Sequence, residues 1–279
     1  MTLPTDFQFS QGSLQDYMDC PRRFQLRYLL RLAWPAVEAE PALENERRLQ
    51  QGAAFHRLVH QHVLGLPAER LSRAVTDEDL SRWWHNYLVS APAALQGARY
   101  PEIVLSAPLS GYRLVARYDL IVVDPGERAI ILDWKTSHRR PPRQWLTERL
   151  QTRVYMYLLV RAGSHLNAGR PCPPERVEMV YWFPEFPDAP ERFPYDAARF
   201  KADSDYLTAL TDEVMGRSDE DLPLTDQERR CRYCRYRSLC ERGVEAGALD
   251  EAEAEPETEG LGPLSEIDLD IEQIAEIEF

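Results

Sequence analysis

Lysine is nearly absent from the chain. Of 33 basic residues among 279, only Lys135 and Lys201 are lysines, and the remainder are arginines. In such a composition a position that tolerates any cation drifts to arginine, so a retained lysine marks a need for a compact ammonium. Long apolar runs are missing too. None approaches the roughly 18 residues of a membrane-spanning helix, and no membrane association is expected. Met1 to Phe9 has neither the basic nor the apolar region of a secretory signal, so a cytoplasmic location is expected. Cysteine is scarce, with five in all. Without a secretion signal, five cysteines argue for metal or cluster ligation over disulfides. Basic residues vanish altogether from Val244 to Phe279. These absences exclude a collagenous, a membrane and a disulfide-stapled secreted protein.

The overall charge of −13 has a local origin. Thirteen of the 46 acids lie between Val244 and Phe279, leaving residues 1–243 with 33 acids against 33 bases. A neutral body is no bar to a polyanionic partner. With 44% hydrophobic and 28% charged residues, the body has a soluble globular composition.

Hydrophobic periodicity divides the chain. Helices are expected from Ser13-Leu-Gln-Asp16, a capping-box-like start, from Phe24 to Leu32 after Pro21, from Glu44 to Leu64, and from Thr76-x-x-Asp79 onward. Ile103–Leu105, Tyr112–Ala116, Asp119–Val123 and Ala129–Trp134 read as short strands of an antiparallel meander. Gln144–Arg161 returns to helix, Val177–Phe183 is a buried strand, Pro184–Pro194 a loop, and Ala197–Met215 the last long helix. The order predicts an α/β or α+β arrangement with a small mixed sheet.

The chemistry concentrates on one hairpin. Asp119 lies early in one strand, and Asp133-Trp134-Lys135 ends the next. The turn at Pro125-Gly126 brings Asp119 and Asp133 side by side. Two adjacent carboxylates repel unless a cation neutralises them, and a hard divalent metal does so with oxygen ligands. Period-two alternation puts Asp133 and Lys135 on one face, with Trp134 pointing away. Two carboxylates, a metal and an ammonium suit hydrolysis of a phosphodiester. Glu102 is a further acid nearby, without an assigned role.

Cys231-x2-Cys234-x5-Cys240 forms a second constellation within an Arg- and Tyr-rich segment, and Cys20 is its natural fourth member. Four thiolates suit zinc or a cubane iron–sulfur cluster, and spacing does not separate the two. Cys172, between two prolines, reads as an incidental loop residue.

Taken in order, these pieces resemble the RecB-type branch of the PD-(D/E)XK nuclease superfamily. Ser13-Leu-x-x-Tyr17-x-x-Cys20-Pro-Arg22-x-Phe24 is similar to its N-terminal segment, Gly52-x-x-x-His56 to its helical histidine motif, and Asp119 with Asp133-x-Lys135-Thr136 to its metal-binding core. Gln151-x-x-x-Tyr155 is similar to the helix that follows, and the cysteine triplet closes the set. The stretch Gly65–Tyr100 matches no part of it. The resemblance implies a restriction-endonuclease-like α/β core, with a small mixed sheet flanked by helices, an N-terminal helical part (about 1–100), a catalytic core (about 101–218) and a cysteine segment (225–243). It implies Mg²⁺ or Mn²⁺ held by His56, Asp119 and Asp133, with His56 favoured by the motif over His60 one turn away. Asp119, Asp133, Lys135, Gln151 and Tyr155 are the implied catalytic set, the last two binding DNA backbone. It further implies a [4Fe–4S] cluster on Cys20, Cys231, Cys234 and Cys240, stapling the two ends of the fold. The expected substrate is DNA, single-stranded or with single-stranded ends, cleaved by exonuclease or endonuclease action in repair, recombination or defence. A non-catalytic DNA-binding or scaffold subunit of a helicase–nuclease assembly is the alternative. No Gly-x4-Gly-Lys-Ser/Thr loop is present, so ATP-driven unwinding would come from a helicase partner. The acidic segment 244–279 reads as a solubilising tail, a mimic of DNA charge, or, as favoured here, a docking peptide for a protein partner.

Overall fold

The structure, a computed structural model, describes residues 3–32, 42–90, 96–217, 220–243, 245 and 247. Apart from Glu245 and Gly247, the acidic segment lies outside the described residues.

A short strand β1 (Gln8–Ser10) leads into helices α1 (Gln11–Asp19) and α2 (Pro21–Phe24), the latter continued by a π-helical turn, Gln25–Leu29. Helix α1 begins three residues earlier than its sequence signature implies. Ser10 is the N-cap, and its hydroxyl and that of Ser13 satisfy each other's backbone N–H at 3.1 and 2.9 Å. Pro21 opens α2, where its missing N–H costs nothing, and leaves Cys20 extended in the corner between the helices. Helix α3 (Ala42–Val63), α4 (Ala68–Ser72) and α5 (Glu78–Ser90) follow. The cap of α5 is Asp77 rather than Thr76: its Oδ1 accepts from Leu80 N at 2.9 Å.

Then come β2 (Ala98–Leu109), β3 (Tyr112–Asp124) and β4 (Arg128–Trp134). The two short strands expected on either side of Arg117 are one 13-residue strand, β3. Its backbone stays extended through the exposed Arg117, and β2 pairs with it along nearly its whole length. Helices α6 (Arg143–Glu148) and α7 (Leu150–Ala162) divide the expected Gln144–Arg161 helix at an extended Arg149. Strand β5 (Val177–Trp182), a short β6 (Glu191–Pro194) inside the expected loop, and α8 (Ala197–Gly216) complete the regular elements.

The six strands form one mixed sheet in the order β1-β3-β4-β5-β6, with β2 on the other side of β3. β1 runs parallel to β3 and β4 parallel to β5, while β2–β3, β3–β4 and β5–β6 are antiparallel. Strand alternation splits the interior in two. Ile121, Val123, Ile131 and Tyr181 face a core built with α1, α7 and α8, while Leu120, Val122, Leu132 and Trp182 face α3 and α5. Because both faces of β4 are covered, its residues from Ala129 to Trp134 are all buried and read as an unbroken apolar run ended by the acid. Trp134 lies in the α3/α5 core, on the side away from α7. This is a mixed α/β fold with helices on both faces of a six-stranded sheet.

Candidate active site

The β3–β4 ladder runs from Asp124↔Arg128 to Leu120↔Leu132. One step further, the register sets Asp119 opposite Asp133. There the ladder gives way to a side chain: Trp134 N donates to Asp119 Oδ2 at 2.9 Å. Lys135 N still donates to Trp182 O at 2.9 Å, so β5 supports the chain just past β4. The result is two carboxylates and an ammonium at one end of the sheet.

Helix α7 reaches this end from one face. Gln151, buried near its N-terminus, accepts from Lys135 Nζ through Oε1 at 2.8 Å and donates from Nε2 to Asp133 Oδ1 at 2.7 Å. Both ends of the amide are therefore engaged, and Gln151 holds Asp133 and Lys135 in a fixed relation. Tyr155, one turn on, is buried against Tyr118 with ring centroids 4.7 Å apart. Burial pushes its hydroxyl well up, with the charges of Asp133 and Asp119 adding and a hydrogen bond with Gln151 opposing. Gln151 and Tyr155 thus face the carboxylates.

Helix α3 arrives from the other face. Gly52 and His56 are four apart and share a face of it. A Cβ at Gly52 would lie 2.7 Å from Thr136 Oγ1, so glycine lets α3 close onto the segment just after Lys135. That approach brings His56 Nδ1 to 3.3 Å from Asp119 Oδ1. His62 instead meets Tyr87 Oη at 3.1 Å. Gly52→Ala is expected to push α3 from Thr136, lower the thermal midpoint and weaken any metal bound near His56. Adding Thr136→Ala removes the obstructing oxygen and should restore both; isothermal titration with Mn²⁺ on the single and double variants checks this.

The electrostatics follow from the geometry. Burial raises the Asp133 carboxyl to about 6, with Lys135 opposing and Asp119 reinforcing. Asp119 is held low: burial works against this, and the charge and hydrogen bond of His56 prevail. For His56, burial favours the neutral ring, but Asp119 outweighs it and the pKa rises to about 9. Two cations, His56 and Lys135, therefore balance two acids. Asp133 Oδ2 is buried and makes no hydrogen bond, although Lys135 Nζ lies 3.0 Å away. An anionic oxygen in that condition, beside a second carboxylate and an imidazole, has the chemistry a hard divalent cation would use, once the ring has given up its proton and the three groups have drawn together. Among the described residues, no three His, Cys, Asp or Glu side chains are gathered as a group that could hold a metal ion.

A pH dependence follows for the metal-free protein. The folded pKa of His56 exceeds its ordinary 6.5, so its contribution is complete below 6.5 and is lost as pH rises through about 9. Asp133, raised from 3.8 to about 6, likewise favours the fold when protonated, and that preference is lost between those values. Urea midpoints should fall from pH 6.5 to pH 9, and His56→Asn should flatten that fall. An unchanged slope in His56→Asn would show that another group carries it.

The four cysteines of the second constellation come together. Cys20, Cys231, Cys234 and Cys240 line one cavity, together with Arg23. Their thiols are free, and they perturb one another: burial raises Cys231, Cys234 and Cys240, and the charge of Cys20 adds to each. Burial takes Cys234 to about 11 against the pull of Arg23. Arg23 pairs with Asp16 at 2.7 Å and Asp19 at 2.8 Å, while its buried Nε makes no hydrogen bond. The only sequence signal for Arg23 is its place three residues after Cys20. Four thiols in one cavity have the donor chemistry of a thiolate-ligated metal centre, although among the described residues they are not gathered as a metal-holding group, and they do not choose between zinc and iron–sulfur.

Polar contacts already join the two segments here. Gln25 Oε1 accepts from Leu222 N at 2.9 Å, Arg22 N donates to Pro223 O at 3.1 Å, and Tyr236 Oη donates to Leu32 O at 3.0 Å. Cys172 is elsewhere, buried beside Gly163, and belongs to the core rather than to an exposed loop. Glu102 lies within β2 rather than opening it. It stands across from Asp119 with φ of +51°, a conformation costing ~1–3 kcal/mol, and pairs with Arg117.

A sequence profile of the PD-(D/E)XK nuclease superfamily matches residues 8–241. The chain belongs to this superfamily. Among solved structures, it is similar to a protein from Eubacterium rectale described as a candidate exonuclease, with 9% identity, a TM-score of 0.51, and coverage of 80% of this chain and 85% of that one. The crystal structure of SSO0001 matches over 86% of this chain and 88% of that one, with 13% identity and a TM-score of 0.39. No curated protein sequence matches. The E. rectale structure supports the fold.

Proposed function

We propose that the chain is a divalent-metal-dependent DNA nuclease. The observation that carries this reading is the convergence at one end of the sheet: Asp119, Asp133 and Lys135 from the strands, Gln151 from α7 and His56 from α3. Lys135 is the group that meets a non-bridging phosphate oxygen or the attacking water, because a compact ammonium can aim at a single oxygen. Gln151 sets its direction and that of Asp133. Tyr155 closes the inner wall and keeps the carboxylates in a low dielectric. Asp119, Asp133 and His56 would hold Mg²⁺ or Mn²⁺. When bound, such an ion supplies water activation and offsets charge on the phosphate. The superfamily supports hydrolysis of nucleic acid, and the candidate-exonuclease name of the E. rectale relative favours action from DNA ends.

Cys20, Cys231, Cys234 and Cys240 would hold a [4Fe–4S] cluster with a structural role. The cavity that the four side chains share supports this.

End-labelled single- and double-stranded DNA, incubated with and without Mg²⁺ or Mn²⁺, tests the function. Metal-dependent shortening from the ends is expected. Tight DNA binding without cleavage under either metal would replace the enzyme with a scaffold subunit.

A further inference from the structure

The stretch Gly65–Tyr100 carries no part of the superfamily motifs, yet helix α5 within it is tied to the loop that follows Lys135. The tie is Glu185, in the turn after β5. One oxygen of its carboxylate, Oε1, receives three donors: Arg82 at 2.7 Å, Trp83 Nε1 at 2.9 Å, and the Nδ1 ring nitrogen of His138 at 3.0 Å. Arg82 and Trp83 belong to α5. His138 stands three residues beyond Lys135. Nearby, Asn86 Nδ2 donates to Pro184 O at 2.8 Å, a second bond between α5 and the same turn.

An exposed ion pair contributes little to stability. This one differs, because the Glu185 side chain is only 15% exposed and its bonds are charge-assisted. Burial alone would raise its carboxyl, but hydrogen bonds from Arg82 and Trp83 hold it below the usual range, so it stays an anionic acceptor. On the other flank α3 comes close to the segment, where Gly52 leaves room for Thr136. Lys135 precedes both contacts, and from Lys135 to His138 the chain has no regular secondary structure. Its backbone is tied to β5 at Lys135 N and Gln151 meets the ammonium, so the tie at His138 steadies the segment from its far end.

We propose that Glu185 is a positioning residue for the Lys135 ammonium, with α5 as the rigid support it works against. The inference rests on the nuclease reading for its consequence, but the placement can be read without cleavage. The chain has only two lysines, so protein labelled with ¹³Cε-lysine gives two ε-methylene signals. Lys201, on α8 and paired with Asp205 at 2.6 Å, is an internal reference. In Glu185→Ala the Lys135 signal should shift and the Lys201 signal should stay. Turnover should fall about tenfold or more, since small misplacements of a reacting group are costly. DNA affinity measured without metal should remain within about twofold of wild type. Glu185→Gln, which keeps one acceptor oxygen, should fall between. If Glu185→Ala does not fold, His138→Ala cuts only the loop's share of the tie and is measured the same way. An unmoved Lys135 signal, or wild-type turnover in the folded variant, overturns the proposal. A shifted Lys135 signal in a protein whose wild type cleaves no DNA supports the placement and removes the nuclease reading alone.

Discussion

Asp133→Ala and Lys135→Ala are each expected to lower DNA cleavage at least about 10²-fold in a folded protein, the first with some loss of stability because Gln151 Nε2 loses its acceptor. Removing one preorganised charge from such a site removes ~2.7–4 kcal/mol of transition-state stabilisation. Lys135→Arg should fail almost as badly. A guanidinium cannot fit the 2.8 Å contact with Gln151 and point at a single oxygen. At the remaining acid, Asp119→Asn is a cleaner test than alanine. Alanine would strip Trp134 N of its acceptor and add a stability loss of about 1–3 kcal/mol for an unsatisfied buried donor. Single-turnover rates on end-labelled DNA, with circular dichroism to confirm folding, decide the matter. Wild-type-like rates in any one folded variant would remove that residue from the mechanism.

The second large effect concerns the cysteines. Protein purified without oxygen should be brown and carry about four irons per chain, because a cubane cluster takes four thiolates. Cys20→Ser should bleach it, whereas Cys172→Ser, buried away from the cavity, should not. Stoichiometric zinc with no visible absorbance would refute the cluster and retain the ligand set. The colourless Cys20→Ser protein should still fold, at a lower thermal midpoint, because Gln25, Arg22 and Tyr236 hold the same segments by hydrogen bonds.

The hairpin was legible because its chemistry is local. A buried apolar run that ends in Asp-x-Lys, one tight turn from another acid, leaves few arrangements of the three groups. Gly52 and His56 were legible as a spacing, but the reason for the glycine was not. It depends on Thr136, more than eighty positions away. Helix boundaries went astray where caps decided them. Ser10 and Ser13 cap each other, and a reading that starts the helix at Ser13 takes the third residue for the first. Strand β3 was divided because Arg117 breaks its apolar pattern, although an exposed arginine on one face leaves the backbone pairing untouched. Glu185 carries no local signal at all. Its meaning comes from three donors supplied by two distant segments.

The junction between the first helices and the cysteine segment has a consequence for the order of assembly. The hydrogen bonds that close it span 197 and 204 positions. Loop-closure cost grows only slowly with such separations, and contacts this distant in sequence chiefly slow assembly. Strand β1 and helix α1 can join the sheet and its core without residues 222–236, so only the junction itself depends on them. On the ribosome the junction stays open until Tyr236 has been synthesised. Cys20 is made more than two hundred residues before the triplet it joins, and it spends that interval as a lone thiol. Delivery of any inorganic group to the complete cavity accordingly waits until the β3–β4 hairpin has long been synthesised.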